Sequence, residues 1–384
     1  MTTEEKNPLL RLQDCGQSIW LDFIRRGMLE SGELQTLIDE DGLRGVTVNP
    51  SILDKAIRQT DDYREAIEEL VAQGKTAREM YETLAIEDVQ RAADLFRPLY
   101  DESQGRHGFV SLEVSPHLAY DTQGTIEQVR YLWSELDRPN VMIKVPGTEE
   151  GLPAIEQLTA DGINVNVTLL FGLPRYQEVA DAYISGLETR LSAGEPVDRI
   201  ASVASFFLSR ITVLVDPMLE EMIEAGGPQA EKAARVRGET AIASAKLAYQ
   251  IYQQIFEGRR PGRRPGHGRF QDAADGGARV QRLLWASTST KNPEYSDIKY
   301  VEPLIGPKTV NTLPLRTIDA YRDHGDPAPR LEEEVERARE TLEILPELGI
   351  NLADVTQQLE NEGVEKFVTS YEQLLAELEV RTQG

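Results

Sequence analysis

Eight short runs rich in β-branched and apolar residues recur along the chain, each followed by a stretch with helical character. They read "SIWLD" (18–22), "GVTVNP" (45–50), "GFVSLEV" (108–114), "NVMIKVP" (140–146), "INVNVTLLF" (163–171), "ASVASFF" (201–207), "RLLWAST" (282–288) and "KTVNTLP" (308–314). Amphipathic stretches such as 33–39, 173–193 and 229–257 lie between them. Parallel strands need crossovers of a dozen or more residues, usually helical, so this alternation predicts a parallel sheet with helices on its faces. Eight such units predict an α/β fold of the TIM (β/α)8 type with additional helices, within a single domain over 1–384. An open, doubly wound sheet is the alternative, but no strand leads into a GxGxxG turn, which favours the closed barrel. The extra helices are expected at about 53–104 and 329–384. Packing on the barrel wall and covering one end of it are both open for them.

The most informative positions are those where this pattern is broken by polarity. A barrel interior asks for Val, Ile and Leu, yet Asp22, Asn49, Glu113, Lys144, Asn166, Thr168 and Ser205 stand on or just beyond six successive strands. Burying a charge without a partner costs several kcal/mol, so charged residues are rarely placed in such runs for packing alone. In a barrel the ends of the strands converge, and polar groups gathered at one end are expected to form a site. In "NVMIKVPGT" (140–148), Lys144 is surrounded in sequence by Val141, Met142, Ile143 and Val145. An apolar environment disfavours the ammonium form and would free the amine as a nucleophile. An ion pair with Glu113 or Asp22 that merely holds strands together is the competing expectation.

The 41 basic residues are outnumbered by 65 acids, for a formal net charge of −24. Such a field repels nucleic acid and anionic membranes, so no partner of either kind is expected, and an anionic substrate would need a locally basic pocket. Cys15 is the single cysteine, which excludes an intramolecular disulfide and suits a reducing compartment. The polar, acidic start "MTTEEKNPLL" is unlike a signal peptide, and no apolar run approaches the roughly 18 residues of a membrane span. A cytoplasmic location is therefore expected. The four histidines, His107, His117, His267 and His324, all fall outside strand interiors, so neither a metal nor another cofactor is expected. The Arg/Pro/Gly-rich stretch at about 258–269 is expected to be a flexible loop at the N-terminal face of the barrel, away from the chemistry.

Taken together, "GVTVNPSI", "VMIKVPGT", "GINVNVTLLF" and "LLWASTSTKNPEYSD" resemble transaldolases of the longer type found in cyanobacteria and actinobacteria. The resemblance extends from "PLLRLQDCGQSIWLDFIRRGML" to "KFVTSYEQLL", nearly the whole chain. It implies transfer of a dihydroxyacetone unit from sedoheptulose 7-phosphate to glyceraldehyde 3-phosphate, giving erythrose 4-phosphate and fructose 6-phosphate. Lys144 then matches the Schiff-base lysine, and Asp22 the residue that deprotonates the C4 hydroxyl. Glu113 and Thr168 match the pair that moves protons through a bound water. Asn49, Asn166 and Ser205 match residues that hydrogen-bond the dihydroxyacetone hydroxyls. Arg210 matches the phosphate arginine, with Lys291 in place of a second arginine and Ser287 or Ser289 as the accompanying hydroxyl. Phe207 takes the aromatic position beside the water, where a hydroxyl would instead favour the related fructose 6-phosphate aldolases. Such an aldolase and a non-catalytic barrel acting as a scaffold are the alternatives. Both a monomer and a homodimer remain open.

Overall fold

The structure is a computed structural model that describes residues 7–259 and 268–382. The expected basic loop lies mostly outside these residues. Eight parallel strands, β1 (Gln17–Leu21), β2 (Gly45–Thr47), β3 (Phe109–Glu113), β4 (Val141–Pro146), β5 (Val165–Leu170), β6 (Ser202–Phe207), β7 (Arg282–Ala286) and β8 (Thr309–Leu313), close into a barrel in chain order. The expected TIM-type architecture is what the chain adopts. Closure runs through β1 and β8, where Gln17 to Leu21 pair in register with Thr309 to Leu313. Helices cover the outer face, so both faces of the sheet are buried and the strands read as near-continuous apolar runs.

Local chemistry explains the strand boundaries. β2 stops at Thr47 because Asn49 and Pro50 start a helix: the Asn49 side chain accepts from the Ile52 N–H at 3.1 Å, and Pro50 takes the first helical position. β5 carries an irregularity between Val167 and Leu170, with Leu169 at φ +62°. Bulges of this kind re-aim side chains and occur preferentially beside functional sites. The amphipathic stretch 229–257 is divided into helices Ala230–Val236 and Thr240–Phe256. The break falls at Gly238, whose φ of +78° is outside helical space and whose N–H donates to Asp216 Oδ1 at 2.9 Å.

Gly45 opens β2 because nothing larger fits. A Cβ there would lie 2.6 Å from the Phe109 carbonyl oxygen and 2.6 Å from the Trp20 ring. Both neighbours are held in the barrel wall, so Gly45→Ala is expected to destabilise by about 1–3 kcal/mol, measured as a fall in the urea midpoint with little change in slope.

The segment after β2 forms helices Pro50–Gln59, Arg64–Ala72 and Ala77–Glu102, and the chain ends in helix Leu352–Thr382. This last helix crosses the end of the barrel at which the strands finish. It is held to the first by a Ser51–Ser370 hydroxyl contact of 2.7 Å and to the third by an edge-on Tyr81–Tyr371 pair with centroids 5.1 Å apart. Helices Pro50–Gln59 and Leu352–Thr382 contribute to the rim of a cavity there, whereas helices Arg64–Ala72 and Ala77–Glu102 do not.

Candidate active site

A cavity of about 860 Å³ opens at the C-terminal ends of the strands. That is the end at which (β/α)8 barrels carry their chemistry. Asp22, Asn49, Lys144, Thr168, Ser205, Phe207, Arg210, Ser289 and Lys291 line it, and so does Ser287. Glu113 and Asn166 stand behind this wall and reach the cavity through the residues they bond.

The strand register brings the charged groups together. Glu113 pairs across the ladder with Lys144, and Lys144 with Asn166. On neighbouring strands, paired residues point to the same face, so all three project inward. Lys144 Nζ donates to Glu113 Oε2 at 3.0 Å, and the two side chains are only 5% and 2% exposed. The expected apolar surroundings need correcting. Side chains alternate along a strand, so Val141, Ile143 and Val145 turn to the helical layer, and of the four apolar neighbours Met142 alone shares the face of Lys144. What faces Lys144 is a carboxylate.

Asp22 follows the last residue of β1, where its backbone N–H is anchored on the Leu313 carbonyl at 2.8 Å. Thr47, from β2, donates its hydroxyl to Asp22 Oδ1 at 2.8 Å and also contacts the Thr312 hydroxyl at 2.8 Å. Burial raises the Asp22 carboxyl pKa above its ordinary value, against the opposing pull of Lys144 and then of the Thr47 hydrogen bond. Burial likewise raises Glu113, opposed first by the Lys144 charge and then by its hydrogen bond. Both acids therefore hold a proton more readily than exposed carboxyl groups do.

Ser205 donates to Asn166 Oδ1 at 2.7 Å, and Asn166 Nδ2 donates to Ser111 Oγ at 3.0 Å. This chain fixes the amide orientation and leaves the Ser205 oxygen able to accept. Thr168 differs: its Oγ1 is buried and has no hydrogen-bond partner among the described residues. A buried hydroxyl with unused capacity is costly unless a ligand or solvent molecule completes it.

At the outer side, Arg210 stands in the first turn of helix Ser209–Ala225, just after β6. Its guanidinium lies 5.3 Å from the centre of the Phe207 ring and 5.7 Å from that of Phe367, on the last helix. Gly363 of that helix leaves it room, since a Cβ there would come within 3.2 Å of Arg210 Nη1. Lys291 Nζ donates to Ser289 Oγ at 2.6 Å, whereas Ser287 Oγ is engaged with Ser209 Oγ at 2.8 Å. Of the two serines, Ser289 is thus the one associated with the basic group.

Some cavity residues were not anticipated from the sequence. Thr47 was open to recognition, because it lies two residues before Asn49 on the same strand run and so shares its face. Lys55, Arg316, Glu362 and Lys366 also line the cavity, but their place depends on how helices return over the barrel, which no local pattern reveals.

A buried lysine beside a carboxylate, a second buried acid and a cationic rim suit covalent chemistry on the carbonyl of a phosphorylated compound. The comparisons agree with that reading. The sequence profile of the Transaldolase/Fructose-6-phosphate aldolase family matches residues 19–378. The chain is 45% identical to a transaldolase from Trichodesmium erythraeum, over 98% of each chain. It is 47% identical to one from Thiobacillus denitrificans, over 94% of this chain and 97% of that one. For the transaldolase of Thermobifida fusca the identity is 44%, over 96% of both. With matches of this extent at a strand-end cavity of this composition, the chain belongs to the transaldolase/fructose-6-phosphate aldolase family.

Proposed function

We propose that the protein is a transaldolase that carries a dihydroxyacetone unit on Lys144, from sedoheptulose 7-phosphate to glyceraldehyde 3-phosphate. The observation that carries this reading is the buried Lys144–Glu113 pair at 3.0 Å, opening on the same cavity as Asp22.

Each step has a group suited to it. Glu113, whose proton affinity burial raises, is the nearest acceptor for the Lys144 ammonium proton. The free amine attacks the ketose C2 carbonyl. Loss of the C2 hydroxyl as water requires a proton, which Glu113 returns with Thr168 orienting the departing oxygen. Asp22 then takes the proton of the C4 hydroxyl. The C3–C4 electron pair flows toward the iminium nitrogen, erythrose 4-phosphate leaves, and an enamine stays on Lys144. The incoming aldehyde accepts that electron pair at its carbonyl carbon, and Asp22 protonates the resulting alkoxide. Hydrolysis of the new iminium releases fructose 6-phosphate. Asn49 and Ser205 offer hydrogen bonds to the three-carbon hydroxyls, with Asn166 orienting Ser205. Arg210, Lys291 and Ser289 suit the phosphate, Lys291 as a point charge rather than a planar fork.

Transfer instead of simple cleavage requires that water be kept from protonating the enamine. Phe207 at the wall and the last helix over the mouth support that role, and Phe207 brings no hydroxyl to activate water. The same reading takes the chain as one barrel domain, acting in the cytoplasm on phosphorylated sugars; among the described residues no helix is long and apolar enough to cross a membrane.

Borohydride reduction in the presence of fructose 6-phosphate is expected to fix a three-carbon adduct on the peptide that contains Lys144. An adduct on a different lysine, or none, overturns the proposal.

A further inference from the structure

The rim of the cavity carries more positive charge than one phosphate needs. Lys55, Arg210, Lys291, Arg316 and Lys366 all line it, and Glu362 is the carboxylate among them at this outer level. None of the five has a carboxylate oxygen within 4.0 Å among the described residues, although acids outnumber bases 65 to 41 in the chain. Elsewhere on this surface arginines are generally paired. Five mutually repelling cations kept free in one place store unfavourable energy that a bound anion relieves.

The five come from separate elements. Lys55 is on helix Pro50–Gln59 after β2, Arg210 follows β6, Lys291 follows β7, Arg316 follows β8, and Lys366 descends from the last helix. Lys291 is central: after burial, its ammonium is disfavoured by Arg316, Lys366, Lys55 and Arg210, in that order. Lys366 in turn is disfavoured by burial, then by Arg210 and Lys55. Arg316 stands in the first turn of helix Leu315–His324, whose N-cap Pro314 offers the turn's amides no side-chain acceptor. Both Pro314 and Arg316 face the cavity, so this end of the helix adds to the attraction for an anion.

Arg210 and Lys291 balance one phosphate dianion. We propose that Lys55, Arg316 and Lys366 form a second anion subsite beside them, suited by charge to another phosphoryl group. With Lys144 and Asp22 deeper in the same cavity offsetting each other, the five cations against Glu362 leave four positive charges, which match two phosphate dianions rather than one. The subsite rests on the sugar-phosphate reading for the role of Arg210 and Lys291, but its binding can be measured without turnover. The second phosphoryl group has two possible sources: another group on the same ligand, or a separate anion such as the phosphate of an incoming aldose that arrives before the first product has left.

Calorimetric titration of the full chain with inorganic pyrophosphate and with orthophosphate tests the proposal. Pyrophosphate is expected to bind at least about tenfold more tightly, as additional charge-assisted contacts form. In the Lys55→Ala/Lys366→Ala double variant that advantage is expected to shrink to less than about twofold, with orthophosphate affinity nearly unchanged. Among the described residues neither lysine makes an ion pair, so both can be removed without orphaning an acid there. Arg316→Gln, on a different helix, gives an independent reading in the same direction. Equal affinity for the two anions in the parent protein, or an equal loss of both in the double variant, overturns the subsite, the latter showing five cations on a single phosphate. A third titration separates the sources. Orthophosphate that still binds when arabitol 5-phosphate (which has no carbonyl) saturates the protein supports a separate anion, whereas a pyrophosphate advantage without such ternary binding supports two groups on one ligand. Borohydride trapping at Lys144 is unaffected by either result, so failure of the subsite and failure of the catalytic reading are distinguishable.

Discussion

Lys144→Met is expected to lower the transfer rate by at least about 10⁴-fold and to abolish the borohydride adduct, because among the described residues no other group in the floor of the cavity can form an iminium. Methionine keeps the length and apolar stem of lysine, which limits packing losses. The variant does lose the 3.0 Å bond to Glu113, leaving that carboxyl buried without its cation. Removing one partner of a buried pair costs about 3–5 kcal/mol when the other must stay charged. Glu113 has an escape, since burial already raises its pKa and it can take up a proton once Lys144 is gone. The expected destabilisation is therefore smaller than that figure and grows as pH rises. Rate and urea midpoint measured on the same preparation check both halves. A variant that keeps most of its transfer activity would restore the view that Lys144 only ties β3 to β4.

Asp22→Asn is expected to reduce kcat/KM by about 10²–10⁴-fold, the range over which a positioned acid–base group acts. It should also leave the fold as stable as before, or more so, at neutral pH. The sign follows from burial. The folded protein holds the Asp22 proton more tightly than the unfolded chain does, since the pKa is raised from 3.8. Its contribution to stability is thus fully present below the unfolded pKa and is lost as pH rises through the folded one. At neutral pH the ionised group is a cost, and an amide of the same shape, still able to accept from Thr47, removes it. For the same reason the acid limb of the parent enzyme's pH–rate profile should lie above the ordinary aspartate range. Loss of activity with a lowered melting point would indicate that Asp22 holds the barrel mouth together.

Much of this architecture can be read directly from residue order. The strands stand out because both faces are buried, and "VNPS" shows its strand-to-helix turn through a cap and a proline. Asp22, Glu113 and Lys144 stand out because packing alone does not account for them. Other features resist such reading for physical reasons. Adjacency in sequence suggested that Ile143 and Val145 shield the amine, but the two-residue period of a strand sends them to the opposite face. Asn166 matches a substrate ligand by resemblance, and only the fold shows that its amide bonds Ser111 and Ser205 from behind the cavity wall. The cationic rim combines residues as far apart as Lys55 and Lys366, and nothing local to either predicts their meeting.

The strand ring closes on itself through β1 and β8, and residues 352–382 take no part in its ladder. The element over the mouth is consequently a cover laid across a closed vessel, seated by Leu359, Phe367 and Tyr371, which are buried in the same core. Under the proposed chemistry, loosening that cover would admit moisture to a half-finished intermediate and raise the fraction of turnovers wasted.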